Sequence, residues 1–193
     1  MYVKESSEYQ NPLVIVNSIE DKVGGGTIAK ADLVSADELK PGAVVGEDAN
    51  GLLHVVKTLK VYEAATNTAT SIKVFKGHEA KVGDVISNSK FAGASVAITA
   101  INTSNADYDT ITVGATIGVV LNVGDVLVQA NAAAAAGAGV YKYTPMGITI
   151  AAVDLTVANQ GTGVMVRGTV KESLMPYPVN AGIKEKLSLI RFV

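Results

Sequence analysis

Cysteine and tryptophan are both absent from this 193-residue chain, and phenylalanine occurs only three times. The lack of cysteine excludes a disulfide framework, thiolate metal sites and cysteine nucleophiles. Aromatics make up 5% of the chain while hydrophobic residues make up 48%, so alanine and valine carry much of the core. Small side chains remove little area from water, and transfer energy follows apolar area. That composition points to additional burial against other chains. A large excess of either charge is missing too: 16 lysines and arginines against 18 aspartates and glutamates leave a net charge of −2, and the pI is about 5.7. The basic footprint of nucleic-acid binding is therefore lacking, and no nucleic-acid partner is expected. Long hydrophobic runs are also wanting. Met1 to Glu8 is polar and has no apolar signal region. Ala130 to Val140 is mostly alanine and glycine, too short and too small to span a bilayer. Cytosolic synthesis without membrane association is the expectation.

What is present is turn-and-strand grammar. Ala80-Lys81-Val82-Gly83-Asp84-Val85-Ile86 and Leu121-Asn122-Val123-Gly124-Asp125-Val126-Leu127 are each a Val-Gly-Asp turn leading into a β-branched strand. Leu39-Lys40-Pro41-Gly42-Ala43-Val44-Val45 keeps the glycine but has alanine in place of aspartate. Glycine reaches positive φ freely and aspartate bonds its own backbone, which suits both to chain reversal. Alternating runs such as Ile72-Lys73-Val74 and Thr110 to Val113 surround these turns. Short strands with turn signals roughly every 8–12 residues predict an all-β fold, a small barrel or sandwich. The length fits one domain, able to bury roughly 70% of its unfolded surface without a staple.

Two units are expected: a flexible N-terminal arm over 1–34, and a β domain over 35–193 with an Ala/Gly-rich insert at 130–139. In the arm, Leu13 to Val16 is a short apolar strand and Gly24-Gly25-Gly26 carries a high ordering cost. Either the arm is a disordered terminus, or it orders on a partner with Leu13 to Val16 added to a neighbour's sheet edge. Ser35 and Glu38 have capping-box spacing for at most one helical turn before Pro41. Asn50-Gly51 signals a type I′ hairpin turn. On the strand that follows, Leu53, Val55, Leu59 and Val61 are apolar, but Lys57 interrupts them, which implies a bulge or strand switch there. Leu59–Tyr62 and Ser71–Phe75 are expected to pair as a hairpin. Ala130 to Gly139 reads equally as a short helix or a surface linker. Asn159 to Gly163 is expected to turn the chain. Val164, Val166 and Val170 should share an inner face, Ala181 to Lys186 has room for one or two helical turns, and Leu189 to Val193 should close the chain as a strand.

Residue types that could carry chemistry were weighed singly. His54 sits at an even position of a strand whose odd face is apolar, so it should point outward, and His78 belongs to a turn; their spacing is not that of a metal site. Asp84 and Asp125 occupy equivalent turn positions, which accounts for both without acid–base work. Asn105, Asp107 and Asp109 alternate like a calcium loop but lack the glycine and distal glutamate it needs. Gly24-Gly25-Gly26 has no following Lys-Ser/Thr to make a phosphate cradle, and Gly-x-Ser-x-Gly is absent. Arg167 lies mid-strand on the polar face, suited to a surface or interface salt bridge. The expectation is no enzyme, with no catalytic, cofactor-binding or metal-binding residues and no cofactor.

Longer stretches carry a family resemblance. Leu39 to Gly46 followed by Asp48-Ala-Asn-Gly-Leu-Leu53 resembles the opening of bacteriophage head decoration proteins. Gly77 to Ile86, Asn105 to Gly114 and Gly124 to Leu127 are similar to phage head fiber proteins of Bacteroides-type phages and prophages, as is Gly163 to Lys171, where such domains close. The resemblance spans about Leu39 to Lys171. It implies a non-catalytic virion protein that binds the major capsid protein lattice of the assembled head, commonly as a homotrimer. Two alternatives come with it: a carbohydrate-binding or adhesin module directed at host-surface or mucus glycans, and a structural module of tail or baseplate. The seven tyrosines favour the former, the lack of tryptophan weakens it.

Overall fold

The computed structural model describes residues 14–34, 37–156 and 159–193. The fold is all-β. In chain order the strands are β1 (Ile15–Asp21), β2 (Gly26–Ile28), β3 (Glu38–Leu39), β4 (Val44–Glu47), β5 (Leu52–Val55), β6 (Thr58–Lys60), β7 (Ser71–Phe75) and β8 (Val85–Ser87). They continue with β9 (Val96–Asn102), β10 (Tyr108–Val113), β11 (Val126–Ala130), β12 (Gly147–Thr149), β13 (Val153–Asp154), β14 (Gln160–Thr162), β15 (Val164–Val170) and β16 (Ile190–Phe192). One helix, α1 (Ala181–Lys186), precedes the last strand, its first turn capped by the Asn180 side chain accepting from the Ile183 N–H.

Strands β6 to β11 form a six-stranded sheet in the order β6-β11-β8-β9-β10-β7. It curls until its two outer strands meet: Val61 bridges Val74, and the Tyr62 N–H donates to the Lys73 carbonyl at 2.8 Å. The alternation in the sequence sets this curvature. In β7, Ile72 and Val74 point inward while Lys73 and Phe75 point out. Leu59, Ile72, Val74, Ile86, Ile98, Ile111 and Leu127 fill the interior with branched aliphatics, each worth about 1.5–3 kcal/mol on full burial.

The remaining strands build an eight-stranded sheet, β1-β15-β12-β4-β5-β2-β14, with β16 parallel to β15, and a two-stranded ladder of β13 with β3. The chain crosses from one sheet to the other between β5 and β6, at Val56 and Lys57, so the interruption at Lys57 is a strand switch. A second core lies where the bodies meet, with Val128 and Ala130 of β11 against Ile148, Met165 and Ile183.

Several expectations are corrected. The boundary at residue 34 does not hold for the described part of the arm: β1 pairs antiparallel with β15, β2 pairs with β5 and β14, and Val14, Ile28 and Leu33 are buried. One side of the strand pairs with β15 of its own chain, and the other is the edge of the sheet. Gly24 and Gly25 make the reverse turn between β1 and β2, where the Gly25 N–H donates to the Lys22 carbonyl at 2.9 Å, and Gly26 opens β2. Residues 1–13 lie outside the described residues, as do Ser35 and Ala36. Glu38 of the expected capping box belongs to strand β3, held by β13. The β4–β5 connection is a four-residue turn, Asp48 to Gly51, rather than an Asn-Gly type I′ turn. Asp48 Oδ1 accepts from the N–H groups of Asn50 and Leu52, and Gly51 alone takes positive φ, +83°.

Leu59–Tyr62 and Ser71–Phe75 share a bridge rather than a hairpin, because β11 and β10 take their main ladders. The alanine run is a linker, not a helix: Ala134 bridges Ser95 and Ala130 bridges Tyr141, so tertiary hydrogen bonds override helix propensity. Gln160–Thr162 is strand β14, not only a turn. On β15, Val164 and Val170 are buried as expected, but Val166 is only half-buried, because the register with β1 slips at that residue and Met165 turns into the core. Ala181–Lys186 and the final strand stand as expected, with Ile190 and Phe192 on the packed side.

Candidate interaction surface

The buried ionisable residues occupy positions that explain them structurally. Asp84 and Asp125 sit in matching turns, with Gly83 at φ +93° and Gly124 at φ +90°. Asp84 Oδ2 accepts from the Lys81 N–H at 2.9 Å, and Asp125 Oδ2 from the Asn122 N–H at 2.8 Å. Asp84 does more than close its turn. It faces the strand switch, where it pairs with Lys57 at 2.8 Å and accepts from Gln129 Nε2 at 2.8 Å. Lys57 is 2% exposed, so this ion pair ties the crossing segment to β11 and to the turn before β8.

His54 does not point outward; both faces of β5 are covered. Its ring stacks on Tyr143 at 3.9 Å and 6°, its Nδ1 meets the Asp32 carboxylate, and its Nε2 lies 3.3 Å from Asp48 Oδ2. Both ring nitrogens and one ring face are thus engaged within the protein, which fixes the orientation of the imidazole. Burial raises the Asp32 pKa, but hydrogen bonds from His54 and Tyr143 and the charge of Lys142 outweigh it, so the carboxyl rests below 3.8. Burial, aided by the Asp32 charge, pushes the Tyr143 hydroxyl up to about 12.

His78 is buried beside the opposite end of the curled sheet. Its Nε2 stands 3.3 Å from Asp109 Oδ2 without hydrogen-bond alignment, and its Nδ1 accepts from the Ala80 N–H at 3.3 Å. Burial lowers its pKa below 6.5 more than the charges of Asp109 and Glu79 raise it. Asp109 also pairs with Lys76 at 2.6 Å, and Asn105 accepts from the Asp107 N–H at 2.9 Å, so this loop aims its side chains apart. Among the described residues, no three histidine, aspartate or glutamate side chains are grouped to hold a metal ion. Arg167 is exposed mid-strand on β15. These groups assemble into separate structural clusters rather than one converging site.

The outward-facing surface that sequence reasoning missed is strand β1. It is the edge of the eight-stranded sheet. From Ile15 to Asn17 its partner on β15 advances only from Val170 to Thr169, and from Ser18 to Glu20 only from Gly168 to Arg167. Val16 and Ile19 are thus the two extra residues of successive bulges, which eject them from the ladder. They are 57% and 59% exposed, and Val23 in the following turn is 98% exposed. Edges are usually blunted with charge, proline or bulges; β1 has the charges of Glu20 and Asp21, and its bulges also hold two aliphatic side chains out to solvent. Close backbone approach makes this possible at Gly168, where a Cβ would run into the Asn17 carbonyl and the Met165 sulfur. The signal in the sequence is faint: Ile15-Val-Asn-Ser-Ile19 lacks strand alternation, as bulged strands do.

No family model, no curated protein and no solved structure matches the chain.

Proposed function

We propose that this protein is a non-enzymatic structural protein of a phage virion, a head fiber or capsid decoration protein that binds the assembled capsid. Its support is the resemblance carried by Leu39 to Lys171, together with an all-β body in which Lys57, Asp84, His54 and Asp109 are held by structural partners. The observation that carries the reading is the β1 edge, with Val16, Ile19 and Val23 held out to solvent. Aliphatic side chains ejected from a sheet edge are suited to docking on a repeating protein surface. On a lattice, many such contacts add through multivalency without strong single-site binding. The capsid lattice is the partner this reading assigns to β1, and a homotrimer is the assembly it assigns to the chain.

The test is decoration of undecorated heads with purified protein, scored by electron microscopy and by co-sedimentation. Val16→Lys with Ile19→Lys leaves the cores intact, so the melting temperature should hold while occupancy falls at least tenfold. Full occupancy by that double variant refutes β1 as the attachment edge. Failure of the wild-type protein to decorate heads refutes the capsid reading itself. Solution mass by light scattering tests the trimer separately.

A further inference from the structure

The outer face of the curled sheet holds a second surface, remote in sequence from β1. Outward residues along β7 are Ser71, Lys73 and Phe75, and along β10 they are Tyr108, Thr110 and Thr112. Phe75 lies opposite Tyr108 and Lys73 opposite Thr110, while Asn102 of β9 flanks Thr110 on its other side. Tyr62, just beyond β6, adds a third ring. It meets Phe75 edge-on at 5.0 Å and 69°, and Tyr108 at 5.1 Å with a 34° tilt. Three rings therefore gather outside the barrel in a chain with only three phenylalanines and seven tyrosines. The core does not require them, since Ile72, Val74 and Ile111 fill the interior beneath.

The surroundings of the rings identify what they would hold. Lys60 Nζ stands 5.5 Å from the Phe75 ring centre and Lys73 Nζ 5.1 Å from that of Tyr108. Lys73 also pairs with Glu63 at 2.7 Å. Cation–π attraction pins the rings, so the face is arranged before any ligand arrives, which reduces the ordering cost of binding. Around the rings lie ammonium, carboxylate, hydroxyl and amide groups, with no outward aliphatic on β7 or β10. Protein interface cores favour aromatics but are depleted of lysine and glutamate, so it is the charged groups set among these rings that favour a polar ligand over a protein partner. A pyranose fits it well: its C–H face is apolar and electropositive, matched to an aromatic π-face, and its rim is hydroxyls. Those hydroxyls can accept from Lys60 and Lys73 and donate to Glu63.

We propose that this face binds an oligosaccharide, with a pyranose ring against Phe75, Tyr62 and Tyr108. This goes beyond attachment to a capsid and uses the opposite kind of surface chemistry from β1. The experiment is a screen of the full chain on an array of neutral and acidic oligosaccharides, followed by calorimetric titration of the best binder. Phe75→Ser with Tyr108→Ser should weaken that binding at least tenfold, whereas Val16→Lys with Ile19→Lys should leave it unchanged. Intermolecular NOEs from sugar ring protons to tyrosine and phenylalanine rings of the wild-type protein give a readout independent of any variant's folding, and should map to these three residues. Absence of array binding, binding retained by the serine variant, or NOEs to other rings overturns the proposal. So does a solution mass that drops in the serine variant, because the face would then be covered by another copy of the chain.

Discussion

Asp84 and Asp125 occupy the same place in two nearly identical turns, and they should respond very differently to truncation. Asp125→Ala removes one acceptor for the exposed Asn122 N–H, a loss of about 1 kcal/mol. Asp84→Ala removes the equivalent contact and the bond from Gln129, and leaves the Lys57 ammonium buried without its counter-charge. Uncovering a buried charge in this way costs about 3–5 kcal/mol, and the two lost hydrogen bonds bring the total to about 5–7 kcal/mol. For a chain of this length each kcal/mol lowers the melting temperature by roughly 2–4 °C. Asp125→Ala should therefore shift the midpoint by roughly 2–4 °C and Asp84→Ala by roughly 10–28 °C in the same far-ultraviolet circular dichroism melt. Lys57→Met added to Asp84→Ala removes the stranded charge and should recover at least half of the loss. If the two aspartate variants melt within about 2 °C of each other, or if Lys57→Met gives no recovery, the buried pair does not hold the crossing.

His78 stays neutral in the fold because its pKa is held below 6.5. The unfolded chain takes up this proton first, so its contribution is whole above about pH 6.5 and fades as pH falls through the lower folded value. His78→Gln should flatten that segment of a urea-denaturation stability profile, and an NMR titration should find His78 below 6.5. Asp32 carries the same sign at lower pH: its depressed pKa contributes stability above about pH 4 that is lost on further acidification. Tyr143→Phe, which deletes the 3.1 Å bond to Asp32, should cost about 1 kcal/mol at neutral pH and make the acid limb shallower. Gly168→Ala should destabilise by about 1–3 kcal/mol through overpacking, with faster hydrogen exchange in β1 than in β9; equal protection of β1 in both proteins would count against the close approach.

The curled sheet was legible because its information is local. Ile72-Lys-Val74 and Thr110 to Val113 alternate plainly, and the Val-Gly-Asp turns announce the starts of β8 and β11. Lys57 betrayed the strand switch because a lysine breaks an apolar face only where the faces themselves change. The errors fall where the decisive partner is distant. Strand β1 reads as an arm because its mate, β15, lies some 150 residues on and because two bulges erase its alternation. His54 was assigned outward by parity, a rule that fails on a strand covered on both sides. The alanine run has strong helix propensity that two bridges overrule. Phe75 and Tyr108 are visible as outward residues, but only the register of β7 with β10 brings them together, and Tyr62 joins through the Val61–Val74 closure.

The order in which strands find their mates has a consequence during translation. All six strands of the curled sheet have left the ribosome once Ala130 has emerged, so that body can close while the rest is still being made. Strand β1 must wait for Val164 to Val170 before it has its ladder partner. Pairings this distant in sequence form slowly and leave apolar edges exposed in the interval. The nascent chain therefore carries Val14 and Ile15, which the fold covers, open to solvent until β15 emerges, and a holding chaperone acting during that interval should raise the yield of folded protein more than one supplied after release.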